Sequence, residues 1–98
     1  MELSLKVPIN GRVKACLDLI KSVNPKGKII VDVGSSVGWI ERALAKSGAK
    51  EIVGIEPNKQ VLEFAAKNVK GAKFILGDAL NIPIKDKYAD LCFLFDVF

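Results

Sequence analysis

Residues 28–44 read KIIVDVGSSVGWIERAL. The β-branched run Lys28–Val33 predicts a strand, the small residues of Gly34–Gly38 a turn, and Trp39–Lys46 a helix stopped by Ser47-Gly48. A strand feeding a helix through a glycine-bearing turn opens a crossover unit, and the chain repeats the pattern downstream. Glu51–Ile55 predicts a second strand. Pro57-Asn58 opens another helix, with Val61, Leu62, Ala65 and Val69 on its inner side, and Lys70-Gly71 closes it. Lys73–Leu76 predicts a third strand, Gly77–Lys87 a loop broken by Pro83, and Ala89–Phe95 a fourth strand. Upstream, Ile9, Val13, Cys16, Leu17, Ile20 and Val23 recur at helical spacing, which predicts an N-terminal helix at about 8–24.

Strands alternating with helices through short links predict an α/β fold: a Rossmann-like parallel sheet of about four strands with flanking helices. Continuous apolar strands such as IIVDV and LCFLF should be covered on both faces. The 98 residues suffice for a single domain, 1–98, yet four strands make only half of a doubly wound sheet, so the chain is expected to be truncated relative to a full domain.

Fifteen Lys and Arg against eleven Asp and Glu give a formal net charge of +4. The basic residues are scattered from Lys6 to Lys87 without a block, so nothing in the sequence indicates nucleic acid. The longest apolar run, Leu91–Phe95, is far short of the ~20 residues of a membrane span, so no membrane partner is expected. Cys16 and Cys92 lack the paired spacing of a zinc or redox site; both are expected to be buried thiols of a cytoplasmic protein.

Three chemistries compete for the turn. A dinucleotide-binding G-x-G-x-x-G fails twice, with Ser36 at the second glycine position and Trp39 at the third. Asp32 would also stand beside an anionic pyrophosphate, and like charges at ~4 Å repel by ~4 kcal/mol at an effective dielectric of about 20. Gly34-Ser35-Ser36-Val37-Gly38 does match the G-x-S-x-G nucleophile elbow, with Ser36 as nucleophile. The chain holds no histidine to take the serine's proton. Asp32 instead suits a cation: an acid at a strand tip beside a loop small enough for backbone to approach a positively charged, phosphate-free ligand.

Two more acids follow predicted strands at comparable intervals, Glu56 after EIVGI and Asp78 after KFIL. Ligands of open parallel sheets bind outside the carboxyl ends of strands, so the three acids form a constellation at one edge. Here VDVGSSVG, followed by GIEPN and GDAL, resembles the class I S-adenosylmethionine-dependent methyltransferases over about Lys28–Phe98. Their first motif runs strand, acid, G-x-G-x-G; the chain keeps Asp32, Gly34 and Gly38 and places Ser36 at the middle glycine.

The resemblance implies an enzyme whose cofactor-binding half this chain supplies, with S-adenosylmethionine held by Asp32, Gly34, Ser35, Ser36, Gly38, Glu56, Asp78 and Ala79. Asp32 and the Gly34 backbone would meet the methionine ammonium. Glu56 would take the ribose hydroxyls, Asp78 the adenine amino group and the Ala79 backbone a ring nitrogen, with Leu80 or Ile55 against the adenine. Asp96 stands where the family faces its acceptor. LFDVF is not the Asn-Pro-Pro-aromatic signature of amino-group methyltransferases, and the acceptor is unidentified. The alternative is a non-catalytic module of the same fold for ligand binding or protein interaction. For an apolar fourth strand at a sheet edge two expectations stand: a homo-oligomer in which a second copy covers the terminal strand, or a chain that is a fragment of a longer enzyme.

Overall fold

The computed structural model describes residues 18–78, 80–82 and 88–93. Residues 18–22 are helical (α1), and six elements follow: β1 Ile29–Val33, α2 Trp39–Leu44, β2 Glu51–Glu56, α3 Lys59–Asn68, β3 Lys73–Leu76 and β4 Leu91–Phe93. The strands form a four-stranded sheet in the order β3-β2-β1-β4, and every neighbouring pair is parallel. The sequence-based boundaries hold to within two residues wherever both ends are described. Residues 1–17 of the expected N-terminal helix, with Cys16, and residues 94–98 of the expected fourth strand lie outside the described residues.

Register decides which side chains share a face, because parallel partners point the same way and alternate residues point oppositely. Ile30 pairs with Ile52, and Asp32 with Gly54 and Phe93. On this face Ile30 and Ile52 pack with Ile20 of α1 and with Ile40 and Leu44 of α2, all buried. Enclosing an isoleucine such as Ile30 stabilises the fold by about 1.5 to 3 kcal/mol. The other face carries a second buried cluster, Val31, Val33, Val53 and Ile55, against Ile75 and Ala89. Both faces of the central pair are therefore apolar, as continuous β-branched runs require.

The helix starts differ in chemistry. Asn58 caps α3 by accepting a hydrogen bond from the Val61 backbone N–H at 3.2 Å. Gly38 caps α2 with no side chain at all, at φ 95°. A Cβ there would lie 2.9 Å from Val69 Cγ2 and 3.2 Å from Phe74 Cζ, so α3 and β3 press on the start of α2 so closely that only glycine fits.

One expectation needs correcting. Cys92 is exposed, not buried. Its register partner is Val31, and β4 has a single strand neighbour among the described residues, so the side chain leaves the sheet at an open edge. Leu91 and Phe93, on the alternate face, are half-buried against the Ile30 cluster.

Candidate functional site

The turn after β1 is held by backbone rather than by side chains. Gly34 and Ser35 both donate their N–H groups to the Ile55 carbonyl, at 2.7 and 2.9 Å, which folds the turn over the end of β2. Gly38 N–H closes it by donating to the Ser35 carbonyl at 3.1 Å. Ser36 takes φ 54°, the left-handed conformation that a glycine at the middle of the motif would adopt freely. Ser36 therefore holds a left-handed conformation despite its Cβ, and carries the strain itself.

Glu56 is the pivot of the site. It closes β2, is 8% exposed, and uses each carboxylate oxygen on a different loop. Oε1 accepts from the Ser36 N–H at 2.9 Å, and Oε2 accepts from the Asn58 N–H at 2.9 Å. One carboxylate thus ties the β1–α2 turn to the β2–α3 turn through two charge-assisted hydrogen bonds. An ionised carboxylate offers about four lone-pair sites, so two remain for hydroxyl donors of a ligand.

Asp32 and Glu56 leave the sheet on the same face: Asp32 pairs with Gly54, and Glu56 lies two residues beyond Gly54 on the same strand. Asp32 is 2% exposed, set between β2 and β4. Its carboxylate bears on Cys92, whose thiol is pushed above its ordinary value of 9.0, first by desolvation and then by the neighbouring negative charge. Ser35 is buried, and its Oγ has no hydrogen-bond partner among the described residues.

Asp78 is turned to its own loop. Its Oδ1 accepts from the backbone N–H groups of Leu80 and Asn81, both at 2.9 Å, and Asp78 forms an antiparallel bridge with Asn81. The acid beyond β3 shapes the third loop at the same edge of the sheet as Glu56; Gly77 N–H donates to the Glu56 carbonyl at 3.2 Å. Of the two residues expected beside the adenine, Ile55 is fully enclosed in the core, whereas Leu80 is 92% exposed. Leu76 and Ile82 are exposed along the same edge. Ala79 and Asp96 lie outside the described residues.

Gly54 is the residue that the sequence reading passed over. A Cβ at this position would fall 2.8 Å from Ser35 Cβ and 2.9 Å from Phe74 Cδ1. The missing side chain is what lets the turn sit down on β2 and bring Ser36 within reach of Glu56. The available signal was a glycine inside an otherwise β-branched strand, which marks a close approach of another segment.

The donor set is anionic and oxygen-rich, with two carboxylates on one face flanking a backbone turn. That arrangement fits a cationic ligand carrying vicinal hydroxyls and disfavours a phosphate. Among the described residues, no cluster of His, Cys, Asp and Glu has the makings of a metal site.

The comparisons agree with this chemistry. The sequence profile of a methyltransferase domain family matches residues 31–98. Demethylmenaquinone methyltransferase of Thermotoga maritima is 35% identical over 78 residues, which cover 79% of this chain and 33% of that protein. A Methanococcus maripaludis structure classed with the S-adenosyl-L-methionine-dependent methyltransferases superposes with a TM-score of 0.73 at 30% identity, covering 91% of this chain and 42% of the other. A TehB-like SAM-dependent methyltransferase from Corynebacterium glutamicum gives a TM-score of 0.69 at 25% identity, covering 89% and 45%. The chain thus spans about a third of the length of the first of these relatives. With the strand order, the acid-bearing turn and these likenesses together, the chain belongs to the S-adenosylmethionine-dependent class I methyltransferases.

Proposed function

We propose that this chain forms the cofactor-binding half of an enzyme that transfers a methyl group from S-adenosylmethionine to an acceptor still to be identified. The observation that carries the reading is the pairing of Asp32 and Glu56 on one sheet face, on either side of a turn whose Ser36 N–H is fixed by Glu56. Asp32 and the Gly34–Gly38 turn would hold the ammonium and carboxylate end of the cofactor, Glu56 the ribose hydroxyls, and the Asp78–Ala79 loop the adenine.

Bound there, the cofactor would supply a methyl group already activated on a sulfonium, so its leaving group needs no activation by the protein. The work left to the chain is alignment and exclusion of water. Glu56 contributes by fixing two loops at once. Exposed Leu76, Leu80 and Ile82 offer an apolar margin at that edge against which an adenine or an acceptor would be shielded.

Two further parts of the reading rest on the sequence and the sheet edge. A cytoplasmic location is supported by cysteines without disulfide spacing, and among the described residues no helix is long and apolar enough to cross a membrane. A second copy of the chain covering the open side of β4 is supported by the absence of a further strand there among the described residues. Light scattering that returns a monomer mass at micromolar concentration would count against this pairing.

Calorimetric titration with S-adenosylhomocysteine tests the main reading. Binding in the micromolar range, with sinefungin competing and adenosine diphosphate not, is the expected result. No heat at millimolar ligand would overturn it.

A further inference from the structure

The end of the sheet opposite the candidate site carries a feature that methyl transfer does not use. Each of the three turns that feed β1, β2 and β3 is a glycine turn flanked by lysines: Lys26-Gly27-Lys28, Lys46-Ser47-Gly48-Ala49-Lys50 and Lys70-Gly71-Ala72-Lys73. Parallel strands bring all three turns to one rim, side by side in the order of the sheet. The first two are stitched together: Gly27 N–H donates to the Gly48 carbonyl at 2.8 Å, and Lys50 N–H donates to the Lys28 carbonyl at 2.8 Å. The second and third share an open hollow of about 320 Å³ lined by Lys50, Glu51, Ile52, Gly71, Ala72 and Lys73.

The charge on this rim is lopsided. Six lysines face two carboxylates, Glu51 and Asp90. Among the described residues of these turns and the strand starts they feed, that is a formal excess of +4. Both carboxylates are already engaged. Glu51 pairs with Lys73 at 2.7 Å and accepts from the Tyr88 hydroxyl, and Asp90 accepts from the Ile29 N–H at 2.8 Å. Lys28 donates to the Val23 carbonyl at 2.7 Å. Lys26, Lys46, Lys50 and Lys70 are exposed.

We infer that this rim docks the phosphate backbone of a double-helical nucleic acid, independently of base sequence. Three turns across two interstrand spacings span about 10 Å, enough to reach about two consecutive phosphates of one strand, whose spacing along the backbone exceeds the ~3.4 Å axial rise. The exposed side chains of the turns are lysines, which act as point charges on phosphate, with no arginine to read base edges. Single-strand grooves add aromatic stacking platforms; among the described residues the aromatic side chain at this rim is Tyr88, half-buried with its hydroxyl committed to Glu51. Bilayer interfaces are gripped through several exposed apolar side chains beside the cations; of the exposed large apolar residues described, Leu76, Leu80 and Ile82 lie toward the other end of the sheet, and Leu19 of α1 stands alone on the approach to the rim. The inference does not depend on the methyltransferase reading.

The test is fluorescence anisotropy with an end-labelled RNA duplex of 20 base pairs, between 50 and 200 mM salt. Neutralising about two phosphates predicts a slope of about −1.8 in log–log form, a loss of affinity of roughly 12-fold over that range. The triple variant Lys26→Gln, Lys50→Gln, Lys70→Gln should weaken binding at 50 mM salt more than 10-fold and flatten the slope. A control at the opposite end of the sheet, Lys59→Gln at the start of α3, should lose less than 2-fold, and less than Lys50→Gln alone. Thermal melting and S-adenosylhomocysteine affinity of the first variant should stay at their original values, which keeps this result separate from the fate of the cofactor site. If melting of the triple variant falls, Lys50→Gln alone should still lower affinity and slope. Equal weakening by Lys50→Gln and Lys59→Gln, no binding at 50 mM salt, or binding to phosphatidylglycerol vesicles without binding to duplex would each overturn the inference.

Discussion

Glu56→Ala removes the acceptor of two backbone hydrogen bonds at once, and its cost follows from the geometry. Each bond is 2.9 Å long, is made to a buried carboxylate and joins a different loop. Hydrogen bonds to charged groups contribute about 1.5 to 3 kcal/mol each. Both donors lie in turns at the edge of the sheet, where water replaces part of what is lost, so about 2 to 3 kcal/mol of net destabilisation is expected for the pair. For a domain of this size, with a urea m-value of roughly 1 to 1.5 kcal/mol/M, the unfolding midpoint should fall by about 2 M. Glu56→Gln keeps one acceptor oxygen and sets an NH₂ against the second N–H, so it should recover less than half of the loss. Affinity for S-adenosylhomocysteine should fall in both variants, by about 1 to 3 kcal/mol if two ribose hydrogen bonds also disappear. An Ala variant as stable as the parent would refute the latch between the loops. A destabilised variant that binds ligand at full strength would remove Glu56 from the cofactor site while leaving the latch in place.

Other consequences are smaller and separable. Gly54→Ala should destabilise the chain by about 1 to 3 kcal/mol in urea unfolding, because its Cβ meets Ser35 Cβ at 2.8 Å; an unchanged midpoint would mean that the turn does not sit on β2 as described. Ser35→Ala should be neutral or stabilising by up to about 1 kcal/mol, since the buried Oγ has no partner to lose among the described residues, and a loss beyond 1 kcal/mol would contradict that. Cys92, although exposed, should be alkylated by iodoacetamide with a half-maximal rate above pH 9.0, lowered by Asp32→Asn, when followed on its own peptide by mass spectrometry. Hydrogen bonds from Lys73 and Tyr88 hold the Glu51 carboxyl below its ordinary 4.5, so the stabilisation it gives is present above that pH and is lost as pH falls through the lower, folded value. Carbon-13 NMR titration should show the Glu51 midpoint rising toward 4.5 in Lys73→Gln.

What the chain discloses in advance, and what it withholds, has a physical pattern. Ile29–Val33 and Glu51–Glu56 were legible because a buried parallel strand must be β-branched along its length, and the glycines and prolines between them punctuate the turns. Asp32 and Glu56 were legible as a pair because strands of like direction deliver their carboxyl ends to one edge. The latch made by Glu56 was not, since it depends on where two backbone N–H groups point, and those directions are set by the left-handed Ser36 and by the cap at Asn58. Gly54 hid for a related reason: its meaning lies in Ser35 and Phe74, segments far from it in sequence. Cys92 was read as buried because LCFLF looks like core, whereas exposure at a sheet edge is a property of strand order. The lysines of the opposite rim are strewn along the chain about one strand-helix unit apart, and only the parallel topology gathers them.

The central claim is that the turn after β1 and the acid closing β2 form one ligand site. Amide chemical shifts of uniformly nitrogen-15-labelled chain, followed during titration with S-adenosylhomocysteine, test it most directly. The account predicts the largest changes at Gly34, Ser35, Ser36, Gly38, Glu56 and Asn58, with Gly27, Gly48 and Gly71 at the far rim unmoved. Changes centred on the far rim, or none anywhere at saturating ligand, would contradict it.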